Sequence, residues 1–419
     1  MKNSLQTVLI RCLISISLVV ISSSGLAQEP LRIAFIDPLS GSFASIGNNG
    51  LKQLQFAADY FYNSKGGILD GRRIEIVPLD NKQSPTETQL QFRRAVGEGI
   101  QIIFQGNSSA VANTLNSAII RHNRRNPGQE VLQINYSAVD PVLTEENCSF
   151  WHFRFDAHVI MKLEVLTDYI AMNNDIKSVY IIGQDYSFGQ AVSDNAIAML
   201  KAKRPDIDIV GNEFHPIGQV KDFTPYVTKI VASGADAVIT GNFGADMVSL
   251  ARSIIDSGLK IPIYTFYAAY DGITATLGED AKGLVYLVHN ETSNPIPTEE
   301  RKQFIRAFKA ANPDNDVTQP RIINALRMVV EAIEDSGSTD PYDIALALED
   351  RRHTTLSGEE VWMRGADHQI FQSLHISVHT NEGIEFDADN SGFGLYSEYH
   401  VPAEQTIRET SCRMSRPRR

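Results

Sequence analysis

From Leu31 onward, short β-branched runs alternate with stretches of helical periodicity, and no other feature of the sequence constrains the fold as tightly. Strand character covers 31–37, 73–79, 101–105, 130–135, 178–182, 207–214, 237–240 and 261–265. Helical stretches lie between. One is expected over 51–63, opening after the turn-rich Gly47-Asn48-Asn49-Gly50. Another starts at Ser84-Pro85-Thr86-Glu87, which offers an N-cap, a proline at the first helical position and the acid of a capping box. Met247, Leu250, Ala251 and Ile254 keep the spacing of one buried face as far as Gly258. Successive strands joined through helices must run parallel, and such sheets are covered on both faces.

The alternation forms two units, 31–136 and 178–265, separated by the aromatic segment Phe150-Trp151-His152-Phe153-Arg154-Phe155. Three further helices are expected, from Thr298, from Pro320 and from Asp340-Pro341, followed by a β-rich tail containing Val361-Trp362-Met363 and 374–378. These late segments need partners in both units, so the chain must cross between them more than once, which makes a hinge. The expected division is a leader over 1–27, one lobe from 28–154 plus 292–355, and a second from 155–291 plus 356–419.

The leader reads as a cleaved export signal. Lys2 and Arg11 precede an apolar run over 12–21, then Ser22, Ser23 and Ser24, and the small-x-small ending Gly25-Leu26-Ala27. The run falls short of the roughly 20 apolar residues of a membrane span. Gln28 stands where a lipoprotein would have cysteine. Cleavage after Ala27 delivers the chain to the periplasm; an uncleaved signal anchor is the alternative. With Cys12 removed, Cys148 and Cys412 remain. An even pair in an oxidising compartment points to one disulfide, with two separate thiols as the other possibility.

A net charge of -12 argues against a nucleic-acid partner, and the basic cluster Arg413, Arg416, Arg418 and Arg419 lies in the tail. Hydrophobic residues make up 43% of the chain, enough for a core that requires no structural metal. No His-Glu-x-x-His, phosphate-binding loop or dinucleotide glycine pattern is present, so no metal or cofactor is expected. His375 and His379 fall in alternating strand sequence and are expected on an exposed face.

Two strand-to-helix loops are candidates for holding an anion on backbone N–H groups and hydroxyls: Gly106-Asn107-Ser108-Ser109-Ala110 and Asn135-Tyr136-Ser137-Ala138-Val139-Asp140. Either loop taken alone could be a plain helix cap. The first is also close to a nucleophile elbow with Ser108 as nucleophile, although no Asp and His stand out as its triad partners. The second unit supplies aromatic loops: Asp185-Tyr186-Ser187-Phe188-Gly189, Gly241-Asn242-Phe243-Gly244, and the run 264–270 containing Tyr267. Together they describe an apolar wall facing an anion-holding one.

Pro38-Leu39-Ser40-Gly41, the run from Gly66 to Arg73, Asp80, the Ser-rich loop 106–110, the segment 138–144 and Tyr186-Ser187-Phe188-Gly189 together resemble the type I periplasmic solute-binding proteins of the branched-chain amino acid (Leu/Ile/Val) family. The resemblance implies an α/β fold of two lobes, each a mainly parallel sheet flanked by helices, joined by three hinge crossovers. It implies a monomeric, non-enzymatic protein that closes on a small solute and hands it to the membrane permease of an ABC transporter. A ligand-sensing subunit of the same fold and a secreted serine hydrolase using Ser108 are the alternatives. Carried over residue by residue, it puts Ser108, Ser109, Ala110, Ser137, Ala138 and Val139 on the carboxylate side, with backbone N–H groups carrying more of the work where Ala110 and Val139 replace hydroxyl residues. Asp185, Tyr186, Phe188, Asn242, Phe243 and Tyr267 are expected opposite. Around Tyr267 the family has an acid that pairs with the ligand ammonium, and this chain has none there, so the expected ligand is a small carboxylate-bearing or aromatic solute, with a branched-chain amino acid as the alternative if Asp185 or Asp271 substitutes for that acid.

Overall fold

A computed structural model of the chain describes residues 28–270, 272–291 and 294–417; the leader and Asp271 lie outside the described residues. The first unit runs β1 (Leu31–Asp37), α1 (Ala44–Phe61), β2 (Ile74–Asp80), α2 (Pro85–Gly97), β3 (Ile102–Gln105), α3 (Ser109–Arg125), β4 (Leu132–Asn135) and β5 (His152–Arg154). The second begins with α4 (Val159–Met172), β6 (Ser178–Gln184), α5 (Ser187–Lys203), β7 (Asp208–His215) and α6 (Thr224–Ser233). It continues with β8 (Ala237–Thr240), α7 (Ala245–Asp256), β9 (Ile263–Thr265), α8 (Ile273–Leu277) and β10 (Val285–His289). Helices α9 (Glu299–Ala311), α10 (Pro320–Ser336) and α11 (Pro341–Leu348) follow. The chain then forms β11 (Arg352–Thr354), β12 (Glu360–Met363), β13 (Ile370–Phe371), β14 (Leu374–Thr380) and β15 (Gly394–Val401).

The two large sheets repeat one topology. The first has the order β2-β1-β3-β4-β5, all parallel. The second contains β7-β6-β8-β9-β10 in the same sense, extended by antiparallel β14 and β15. In each, the chain leaves the first strand to one side and returns on the other, so the loops after β1 and β3, and after β6 and β8, open a crevice at the strands' carboxyl ends. The two crevices face each other.

Each sheet has its own hydrophobic cluster, and α9, α10 and α11 pack into the first through Phe304, Phe308, Leu326, Val329 and Leu348. The chain passes between clusters after β5, after β10 and across β13, where Ile370 packs in the first cluster and Phe371 in the second, and it touches the first again through Phe386 and Met414. Position 355/356 falls in the small sheet β11-β12-β13, whose Val361 and Met363 belong to the first cluster. Cys148 and Cys412 are joined by a disulfide with Cα atoms 5.8 Å apart, tying the tail to the segment before β5.

Three readings of the sequence are corrected. Helix α1 starts at Ala44 rather than after the glycines, because these serve packing instead of turning: a Cβ on Gly47 would lie 1.9 Å from the Pro38 carbonyl oxygen, and one on Gly50 would press on Phe35 and Ile322. Gly189 in α5 is the counterpart, with a Cβ 1.9 Å from the Gln184 carbonyl oxygen. The aromatic segment near 152 is no separator but strand β5, paired with β4 from Gln133↔His152 to Asn135↔Arg154. His375 and His379 are buried, since β14 lies between β10 and β15 with α4 packed against it.

Candidate functional site

On the first-lobe wall, the loop after β3 is pinned from below. The Asp37 carboxylate, buried at the end of β1, accepts the N–H of Gly106 (3.2 Å) and of Asn107 (2.9 Å) and the Tyr136 hydroxyl. Asn107 Nδ2 donates to that hydroxyl at 3.0 Å. Gly106 is required because a Cβ there would sit 2.6 Å from the Tyr136 ring. Burial raises the Asp37 pKa to about 7 against the hydrogen bonds that favour the charged form. With two amides spent on Asp37, the chain turns at Ser108, whose φ of +70° is a conformation that non-glycine residues avoid. Such strain costs on the order of 1–3 kcal/mol and clusters at ligand clamps. Ser108 does not cap α3 with its side chain, so the first-turn N–H groups of this helix have no side-chain partner there. Ser109 Oγ accepts the Asp140 N–H at 3.2 Å.

The loop after β4 is organised differently from expectation. Asn135 Oδ1 accepts both the Ser137 N–H (3.1 Å) and the Ala138 N–H (2.7 Å), so these amides already have an acceptor. What remains is the Ser137 hydroxyl, which accepts from Arg321 Nη2 at 2.9 Å and keeps its own proton to donate.

The second-lobe wall is a run of aromatic rings. Tyr186 precedes α5, Phe188 lies in its first turn, Phe243 follows β8, and Tyr267 and Tyr270 follow β9. Their centroids form a chain: Tyr186 to Phe188 at 5.8 Å, Phe188 to Tyr267 at 5.9 Å, Phe243 to Tyr267 at 6.0 Å, and Tyr267 to Tyr270 at 6.1 Å in a stacked pair. Tyr267 reaches across the cleft to donate to the Ser137 carbonyl at 3.3 Å. Phe43, from the loop after β1, packs on Phe243 at 5.0 Å and lies against Gly218 and Gly244, so a first-lobe side chain is buried in the second cluster. The walls meet closely and leave only a narrow cleft between them.

Behind the aromatic wall lies a buried ion cluster. Asp156 Oδ2 is 2.9 Å from Lys162 Nζ and 3.5 Å from Arg321 Nε. Arg321 extends from α10 to Ser137 and to the Tyr270 hydroxyl (3.4 Å), and Lys162 Nζ stands 5.3 Å from the Tyr267 ring centre. Burial pushes the Lys162 pKa down against the pull of Asp156; for Arg321 burial acts the same way, but Asp156 and the tyrosines outweigh it and the pKa rises. Two cations share one carboxylate.

Of the residues singled out from sequence, Ser108, Ser109, Ser137, Ala138, Val139, Tyr186, Phe188, Phe243 and Tyr267 line the cavity. Ala110 sits one residue further into α3, and Asp185 is exposed with Gln190 Nε2 3.4 Å from its carboxylate. Asn242 is fully buried below the wall, its Nδ2 2.8 Å from His215 Nε2. Gly106, Asn107 and Tyr270 complete the lining. Arg321 and Lys162 carried no local signal, since only tertiary packing brings α10 and α4 to the cleft. No histidine occurs among the described lining residues, so Ser108 has no base there and the nucleophile reading is not sustained.

A family model described as periplasmic binding protein matches residues 30–381. The Leu/Ile/Val-binding protein homolog 4 of Brucella abortus is 30% identical over 411 residues, covering 94% of this chain and 95% of that one. The structure of a leucine-, isoleucine-, valine-, threonine- and alanine-binding protein from Brucella ovis in its closed conformation superposes with a TM-score of 0.80 at 29% identity, covering 93% of this chain and all (100%) of that one. An amino acid ABC transporter substrate-binding protein from Pseudomonas fluorescens Pf-5 shares the fold, with a TM-score of 0.77 at 19% identity and coverage of 92% and 100%. The family model spans most of the chain and the Brucella relative is aligned over nearly all of it, and the chain belongs to the type I periplasmic binding proteins of the branched-chain amino acid family.

Proposed function

We propose that this solute-binding protein takes a small carboxylate-bearing solute with an apolar or aromatic body and delivers it to the permease of an ABC importer. The observation that carries this reading is one of charge. The described residues lining the cavity include no carboxylate, while Arg321 touches the lining through Ser137 and Tyr270, with Lys162 beside it. A ligand ammonium would need a carboxylate or several acceptors to offset its desolvation, whereas a ligand carboxylate meets uncapped N–H groups of α3, the hydroxyls of Ser108 and Ser137, and a guanidinium one bond removed. The five rings cover the body of the solute by stacking.

The names of the relatives favour a second reading, a branched-chain amino acid whose ammonium rests on the tyrosines as a cation–π partner. Calorimetric titration separates the two. Benzoate-type or short aliphatic acids are expected to bind and leucine, isoleucine and valine not to; micromolar leucine binding with no response to the acids overturns the first reading. Export with cleavage after Ala27, a monomeric state and binding without turnover belong to the same proposal. Ser108→Ala is expected to weaken binding, and any catalytic product formed by the wild type and lost in this variant would return the hydrolase reading.

A further inference from the structure

Away from the cleft, three histidines stand in one row across the second sheet. His289 pairs in register with His375, and His375 with His400, placing them side by side on β10, β14 and β15. Ring centroids are 6.1 Å apart for the first pair and 4.7 Å for the second. Glu359, just before β12, stands by the second and third of these: Oε1 is 3.2 Å from His375 Nε2 and 4.0 Å from His400 Nε2.

We infer that Glu359, His375 and His400 form a binding site for a divalent transition-metal ion of the zinc class, separate from the solute cavity. Their donor atoms lie within 4.8 Å of one another and come from three segments of chain. Two imidazoles and one carboxylate are a donor set that zinc uses when a position is left open to water. With metal bonds of about 2.0–2.1 Å, neighbouring donors of a tetrahedral ion stand about 3.3 Å apart. The His375–Glu359 pair already has that spacing, and His400, half exposed at the sheet edge, has the freedom to close the remainder.

A plain ion pair would account for His375 and Glu359 alone. It does not account for a second imidazole nitrogen directed at the same oxygen, where protonating both rings would set two cations in contact. Outer contacts fit a ligand role: His375 Nδ1 is 3.2 Å from Ser397 Oγ, which orients the ring. The nearby Arg301 is engaged by Glu291 at 3.4 Å and by Ser357.

The test is titration of zinc chloride alone into the full chain after removal of metal with a chelator, followed by calorimetry. One ion per chain is expected to bind saturably at sub-millimolar concentration. His400→Ala, at the solvent-facing edge, and Glu359→Gln are each expected to weaken binding by about tenfold or more, with the solute titration of each variant reporting that the fold is intact. Absence of saturable binding by the wild type overturns the inference, and so does zinc affinity in folded His400→Ala equal to that of the wild type.

Discussion

The two walls of the cleft share one strand order and one packing device, yet they carry different chemistry. Gly47 in α1 and Gly189 in α5 play the same part, each letting a helix sit on the carbonyl that ends the preceding strand or its loop. Above that shared frame, the first lobe presents small residues: Ser108 in a strained conformation, Ser109, Ser137 and Ala138. The second presents Tyr186, Phe188, Phe243, Tyr267 and Tyr270. The difference separates two tasks. A wall of backbone and hydroxyl groups reads a polar group at fixed geometry, while a wall of rings covers whatever body follows it and tolerates variation in shape. Behind the walls the charge is also uneven, since Arg321 and Lys162 share only Asp156, and the proposed preference for a ligand carboxylate rests on that imbalance.

The largest expected effect tests that buried cluster. Asp156→Ala leaves Lys162 and Arg321 without their shared carboxylate, and removing one partner of a buried ion pair costs about 3–5 kcal/mol. Urea denaturation measures it; a loss below about 1 kcal/mol, the value of a surface pair, would mean that the cluster is solvated and that the charge argument for the ligand fails.

Next comes the pH dependence of the first wall. Because the Asp37 pKa is raised to about 7 in the folded chain, the folded state holds a proton that the unfolded state releases near its ordinary pKa of 3.8. Stability is thus lost as pH rises between about 4 and 7, by about 4 kcal/mol at most. Asp37→Asn removes this contribution, so its stability relative to the wild type is expected to improve across that window. A pH-independent difference between the two would show that Asp37 is ionised throughout.

The paired glycines sharpen the comparison directly. Gly47→Ala and Gly189→Ala each drive a methyl group into a carbonyl oxygen and are expected to cost about 1–3 kcal/mol by thermal or urea unfolding. Similar losses support equivalent frames; a loss at one position alone would show that one lobe relaxes around the change. The smallest effect concerns closure. Phe43→Ala removes the ring that the first lobe buries beside Phe243, an aromatic contact worth about 0.5–1.5 kcal/mol beyond its area. Small-angle scattering should find a larger radius of gyration for this variant without solute, and the wild type should contract on solute binding. An unchanged wild-type radius at saturating solute would refute hinge closure.

Strands β1 to β4 and β6 to β9 were legible because β-branched runs in a parallel sheet are buried on both faces and need no partner-specific cue; β5, β10 and β15, which carry aromatic and polar residues, were not. The loops of both walls were legible for the same reason, since they are the ends of those strands. Gly47 and Gly50 misled because a glycine that makes room looks in sequence like a glycine that turns. The amides of Ser137 and Ala138 were assigned to a ligand, and the side chain that takes them, Asn135, lies within the same motif; an Asx turn was readable there. Arg321 was not readable, because its partners Asp156 and Ser137 lie more than 150 positions back in the chain and meet it only through the crossings after β5 and β10.

The bond between Cys148 and Cys412 has a consequence for how the protein is made. The two sulfurs are 264 residues apart, so the first must remain reduced while almost all of the second lobe is still being delivered and folded. No third cysteine follows residue 27, so with the proposed cleavage after Ala27 no wrong partner remains within the chain. Oxidation here acts as a seal set at the close of biogenesis. It registers that the tail has reached the first lobe, and it closes residues 148–412, which hold all of the second sheet, into one covalent loop.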